Sequence, residues 1–192
     1  MSNNFKEIVN ELDKWKQTGE RVLENGTILI CKVPHIAPEA WFHIIYPQIG
    51  TTAINEIEKE LSVSLPEDFK EILLITNGLN IFSDSLSIYG KRNSYVREGD
   101  EAIQPYDLVL HHSEVKQFIP DNLLVIGSYN WDGSYIIYDI KTNQIHRCEN
   151  YSSKVLNSWA NLKTFLSDEI KRLAALFDEN GIEYDENVPT TP

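Results

Sequence analysis

The side chains able to carry out covalent or metal chemistry are few in this sequence, and they are poorly spaced for it. Two cysteines, Cys31 and Cys148, and five histidines occur in 192 residues. Neither cysteine lies in a nucleophile signature, and a lone free cysteine ordinarily packs as a small apolar side chain. His111-His112 is the most metal-like pair and His146-x-Cys148 the next. On a strand, adjacent side chains point to opposite faces, so His111 and His112 would not share an ion there. His146 and Cys148 would share a face, but two ligands do not complete a zinc site. Asp84 and Asp100-Glu101 could approach a cation, although a solvated acidic loop explains them more simply. No phosphate-binding loop, dinucleotide fingerprint or nucleophile elbow is present. The expectation is no catalytic residue, no metal and no cofactor.

One constellation is suited to binding. Tyr129, Asn130, Trp131 and Asp132 fall in a turn between two expected strands. Tryptophan and tyrosine lose little conformational entropy on contact and carry much of the energy at protein interfaces. Tyr129, Trp131 and Asp132 are therefore the candidate contact residues, with Asp84, Tyr89, Asp100 and Glu101 as supporting contacts from the preceding loop. The competing reading is that Trp131 folds back onto its own sheet edge.

The elements that would carry these residues follow from periodicity and punctuation. Phe5, Ile8, Leu12 and Trp15 make one helical stripe, and Thr27 to Val33 reads as a strand stopped by Pro34. Pro38-Glu39-Ala40 suits the first turn of a short aromatic helix ended by Pro47. Ile54, Ile57 and Leu61 mark a second helix, and Pro66 opens a third bearing Phe69, Ile72 and Leu73, which Asn77-Gly78 would close. Leu86 to Tyr89 alternates as a short strand, residues 91–101 form a loop, and Leu108-Val109-Leu110 adds another short strand. Leu123 to Gly127, Tyr135 to Tyr138 and Ile145 to Cys148 make an antiparallel meander joined by turns at Asp132-Gly133 and Thr142-Asn143. Ser158 can cap a last helix with Leu162, Phe165, Leu166, Ile170, Leu173 and Phe177 on one face. The fold class is α+β, a mainly antiparallel sheet with helices packed against it. Residues 1–46 form an extension of the same domain, 47–181 its core, and 182–192 an acidic, Pro/Thr-rich tail expected to be mobile.

Composition restricts the partner. With 29 acidic and 17 basic residues the formal net charge is −12, which repels phosphate backbones and anionic membranes. Neither nucleic acid nor a membrane is expected as partner, and a basic protein is. The amino terminus lacks a secretory pattern, two distant cysteines make no disulfide framework, and a cytoplasmic location is expected.

Glu58, Leu61, Leu65-Pro66, Phe69 and Asn77-Gly78, then Leu124 to Gly127, Gly133, Tyr135 and Asp139, and finally Trp159 to Leu166, together resemble the SUKH superfamily (Smi/Knr type). The similarity runs in order from about Pro47 to Leu173. Ser62 and Asn143 stand where the family commonly has glycine, which puts the turn at Ser62 in question. The resemblance implies a SUKH-like α+β fold and a non-catalytic, protein-binding role. Bacterial members resemble immunity proteins that neutralise polymorphic toxins, often nucleases, and fungal relatives regulate cell-wall synthesis. A basic toxin domain is accordingly the expected partner, with a regulatory scaffold or a small-ligand domain as alternatives.

Overall fold

The computed structural model describes residues 4–192. Helix α1 (Asn4–Asn10) runs into a 3-10 helix, Glu11–Thr18, and Gly19 then turns the chain into the first of the nine strands found among the described residues. These are β1 (Glu20–Val22), β2 (Ile28–Lys32), β3 (Trp41–Ile45), β4 (Leu79–Ile81), β5 (Leu86–Ile88), β6 (Leu123–Tyr129), β7 (Tyr135–Asp139), β8 (Gln144–Cys148) and β9 (Val155–Trp159). They lie in sequence order in one sheet, every neighbouring pair antiparallel. Helices α2 (Thr51–Leu61) and α3 (Glu67–Leu73) connect β3 to β4, α4 (Leu108–Val115) precedes β6, and α5 (Leu162–Ala174) follows β9.

Helices cover both faces of the sheet. Strand residues separated by two share a face, so register assigns His43, Ile81, Leu86 and Tyr129 to one side. On that side Trp15 meets His43 with ring centroids 4.9 Å apart, and Phe5, Ile72 and Leu166 converge on Leu79. The amino-terminal helices, α3 and α5 therefore occupy this face. On the other side His111 of α4 lies against Tyr89, centroids 4.7 Å apart, and α2 packs on α4. The residues before position 47 share this single core: Phe5, Ile8, Leu12 and Trp15 are buried with Phe42, Phe69 and Phe165, and Trp15 Nε1 donates to Asp178 O at 3.1 Å.

Four local expectations are corrected. Residues 41–45 are strand β3, not an aromatic helix; Pro38 belongs to a turn in which Ala40 N donates to Ala37 O, and β3 gains partners on both edges from β2 and β4. Leu108-Val109-Leu110 begins helix α4 and is not a strand, because the Asp107 carboxylate accepts from Val109 N and Leu110 N at 3.0 and 3.1 Å and so caps the first turn. The last helix is capped by Asn161, whose Oδ1 accepts from Thr164 N at 2.8 Å, and Ser158 and Trp159 instead end strand β9. Helix α3 stops at Leu73, four residues before Asn77-Gly78, so that pair does not close it.

The acidic tail makes defined contacts. Thr190 is buried, its carbonyl accepts from Arg172 Nη2 at 2.7 Å, and Pro192 O accepts from Arg147 Nη1 at 2.5 Å.

Candidate binding cleft

Register places Ile44, Asn80, Ser87, Ser128 and Tyr135 side by side across strands β3 to β7. Three neighbouring polar side chains thus occupy the middle of a sheet face, where apolar residues would pack better. Asn80 and Ser87 are 7% and 2% exposed. Above this floor is a cleft of about 210 Å³ walled by Asp84, Tyr89, Tyr106, His111 and Tyr135. Asp84 also lines a second cleft of about 300 Å³ with Trp41, Ile44, Ser83 and Ile103, so its side chain stands where the two clefts meet on this groove-like face.

The walls are aromatic. Tyr89 lies 5.8 Å from Tyr106, centroid to centroid, and both meet His111, whose pKa burial lowers. Beyond the wall residue Tyr135, Tyr151 and Phe118 continue a chain of rings with spacings of 6.0 and 5.4 Å. Tyr151 and Phe118 are about half exposed.

Asp84 is delivered by an unusual piece of backbone. Phe82, Ser83 and Asp84 all take left-handed φ values of 54°, 52° and 64°. Each non-glycine residue there costs roughly 1 kcal/mol or more. Ser85 holds the turn through its hydroxyl and backbone N, both donating to Phe82 O at 2.6 and 3.0 Å. Buried oxygens lacking a hydrogen-bond donor gather in this region: Asn80 Oδ1, Ser83 Oγ and Asp84 Oδ1. Burial raises the Asp84 pKa, partly offset by hydrogen bonding from Asn80.

The outer wall is the segment from Gly90 to Asp107, closed on itself where Gly90 N donates to Tyr106 O and Leu108 N to Gly90 O at 3.0 and 2.8 Å. Asn77 clamps it to the sheet: its Nδ2 donates to Lys91 O and its Oδ1 accepts from Lys91 N, both at 2.7 Å. A Cβ on Gly90 would stand 2.1 Å from Asn77 O, so only glycine permits this approach. Asn77→Ala is expected to cost about 1–3 kcal/mol, the usual cost of stranding buried hydrogen-bonding groups. Proteolysis within residues 91–101 should accelerate as well; a variant as stable and as resistant as the parent would show that the clamp does not hold the wall.

The expected contact residues are divided by the structure. Asp84 and Tyr89 line the cleft. Tyr129 ends strand β6 and does not lie in the turn; it is 0% exposed, with the Arg147 guanidinium 5.7 Å over its ring, so it presents no side chain to a partner. Tyr89 is buried too, as a wall, and not a free contact. Trp131 is 49% exposed at the tip of the β6–β7 turn. Asp132 is committed to Arg147 at 2.5 Å; burial opposes its ionisation, but hydrogen bonds from Ser134 and Arg147 prevail and its pKa is lowered. Asp100 pairs with Arg21 at 3.1 Å, and with Glu101 it lines a separate open depression beside Glu24 and Asn25. Ser87, Ser128, Tyr106, His111 and Tyr135 line the cleft and Tyr151 packs on Tyr135, although none of them is among the expected contact residues. The alternation Leu86-Ser87-Ile88 carried a signal for the first, because it marks a strand with one polar face.

The chemistry-bearing residues are engaged elsewhere. His112 Nδ1 accepts from Val125 N at 3.3 Å, and His146 Nδ1 lies 2.8 Å from Ser158 Oγ. Both thiols are buried, which raises their pKa, that of Cys148 to about 11. Among the described residues no three His, Cys, Asp or Glu side chains are placed to hold a metal. Among the same residues no helix is long and apolar enough to cross a membrane.

Residues 49–168, more than half the chain, match the family model described as SMI1 / KNR4 family (SUKH-1). The chain belongs to that family. An uncharacterized protein of Bacillus subtilis (strain 168), YnaB, is 32% identical over 101 residues, 52% of this chain and 56% of that protein, so the match spans little more than half of the relative. A crystal structure of a protein from Pseudomonas syringae pv. tomato aligns with TM-score 0.47 and 16% identity over 85% of this chain and 96% of the other.

In this SUKH-1 chain the signature residues build the frame of the cleft. Glu58 Oε1 accepts from Leu65 N at 2.8 Å and Ser64 Oγ at 3.2 Å and pairs with Lys70 at 2.9 Å, pinning α2 to α3. Those contacts, Lys70 first, lower its pKa despite some desolvation. Ser62 takes φ 57° and Asn143 φ 58°, so both turns keep the left-handed backbone that glycine would supply. Gly78, at φ 94°, and Gly127 lie where a Cβ would come within 2.5 Å of Ile88 O and 2.3 Å of Ser87 O. Without these glycines the strands bearing the polar floor could not approach.

Proposed function

We propose that this SUKH-1 chain is a non-catalytic protein-binding domain that acts as an immunity protein, neutralising a basic toxin domain, possessing nuclease activity in the simplest case. The observation that carries the reading is an aromatic-walled groove with a polar floor and a partly buried acid, set in a chain of net charge −12. A nuclease must be basic where it grips phosphate, so an acidic inhibitor can occupy that surface. Charge complementarity speeds encounter, and buried aromatic contacts slow release. The raised thiol pKa values and the engaged histidines fit a binding role better than nucleophilic catalysis. A small-ligand domain is the second reading, favoured by the groove itself; each half lies at or below the usual pocket range of about 300–1,000 Å³.

The test is co-expression with the product of the adjacent gene, followed by binding kinetics and a toxicity assay. The parent should bind and protect. Trp131→Ala should lose about 2 kcal/mol, mainly as faster dissociation, if Trp131 acts as an interface anchor. Equal binding by the folded variant would remove Trp131 from the interface. An adjacent product that neither binds nor is neutralised would end the immunity reading.

A further inference from the structure

The turn between β4 and β5 holds a carboxylate and no cation to match it. Among the described residues no lysine, arginine or histidine forms an ion pair with Asp84. The nearby Arg92 is occupied, donating to Ser94 O and Pro105 O and lying 4.9 Å from the Tyr95 ring. Asp84 Oδ1 and Ser83 Oγ are buried without a donor, and both residues line the groove. Asn80, more than nine-tenths buried in the floor row, leaves Oδ1 without a donor as well. Leaving such atoms unsatisfied costs about 1–3 kcal/mol each, more for a charged group. Three left-handed residues in succession add strain at the same place. A fold accepts such costs where something else depends on them.

A ligand suited to these acceptors and rings donates several hydrogen bonds, carries positive charge and is flat enough to lie beside rings. An ammonium meets the first two requirements. A guanidinium meets all three, having five donors in a rigid planar fork and a face that stacks on aromatic rings. Tyr106, 40% exposed, supplies such a ring on the cleft wall, backed by Tyr89 and His111.

We infer that the groove is a receptor for one arginine side chain of the protein partner, its guanidinium accepted by Asp84 and Ser83 and flanked by the Tyr106 wall. This rests on the protein-binding reading above and gives it a specific contact. It also explains why a polar row crosses the centre of the sheet: the pocket beneath the guanidinium must solvate a cation.

The experiment uses the full chain and three capped tripeptides, Gly-Arg-Gly, Gly-Lys-Gly and the neutral isostere Gly-citrulline-Gly, followed by nitrogen–proton correlation NMR. The arginine peptide is expected to shift the amides of residues 83–87, 106 and 111 saturably. The citrulline peptide should bind at least about tenfold more weakly, as should the arginine peptide to Asp84→Asn, since a charge-assisted contact is lost in each case. If Asp84→Asn fails to fold, Tyr106→Ala, at a 40% exposed position, takes its place and should weaken binding severalfold. Equal binding of the arginine and citrulline peptides, the lysine peptide binding as tightly as the arginine one, undiminished binding by the variant, or no saturable shift would each overturn the inference. A toxin that binds Asp84→Asn as well as the parent would overturn the arginine pocket and leave the immunity role standing. Saturable peptide binding without any neutralised toxin would do the reverse.

Discussion

Phe165→Ala is expected to destabilise the protein by about 3–5 kcal/mol, the range for deleting a buried aromatic ring. Phe165 is fully buried on α5 and meets the Trp159 ring edge-on at 4.9 Å. It therefore joins the last helix to the last strand, and the cavity left by its removal lies in the same core that α1 and α3 seal. For a chain of this length the loss corresponds to a fall in Tm of about 6–20 °C. Tyr184→Ala serves as the control, because that side chain is 71% exposed and its loss should fall within about 0.5 kcal/mol. Thermal and urea unfolding of the three proteins decide the matter. A Phe165→Ala protein that melts with the parent would mean that α5 is not part of the core.

Acidification is expected to have an effect of similar size, centred on His43. This ring is fully buried among Trp15, Phe42 and Phe82, its Nδ1 accepts from Phe82 N at 3.2 Å, and its Nε2 has no partner. Burial lowers its pKa from 6.5 to about 3, with the Lys14 charge adding a little. Between those two values the unfolded chain binds a proton that the folded chain refuses. Stability is thus complete above pH 6.5 and declines as pH falls toward 3, by about 1.4 kcal/mol per unit once well below 6.5. By pH 4 the loss from this one group approaches about 3 kcal/mol. His111 and His112, lowered chiefly by burial, act in the same direction. Asp84 and Asp68, raised chiefly by burial, act against it. The imidazole resonances of His43 should report a neutral ring down to at least pH 4. Titration of that ring between pH 6 and 7 in the folded protein would refute this account.

The groove and the family signature are linked physically. Glu58, Asn77, Gly78 and Gly127 fix α2 to α3, hold the outer wall at Lys91 and let β4, β5 and β6 close up beneath the floor. Such residues identify a scaffold, while recognition depends on the side chains that the scaffold displays. Under the proposed binding role those are Asp84, Tyr106, Tyr135, Tyr151 and Trp131, from loops or element ends, and His111 from within α4.

Sequence alone determined the α+β class, the β6–β8 meander, the α2–α3 pair and the apolar face of α5. In each of these, period and punctuation agree over several residues, and local geometry suffices. It also supplied the residues that carry the family resemblance. Only the tertiary structure decided the rest. Trp41 to Ile45 became a strand because β2 and β4 offer it backbone partners on both edges, and three apolar residues after Asp107 became a helix because one carboxylate reaches two amides. Tyr129 and Trp131 are two residues apart in sequence, yet one is sealed beneath Arg147 and the other stands in solvent. Tyr129 still belongs to β6, on the face that α5 covers, whereas Trp131 lies past the strand end in the turn, where its side chain stays half exposed. The cleft has the same origin: Asn80, Ser87 and Ser128 become one polar floor only when register aligns three strands, and no local pattern encodes that alignment.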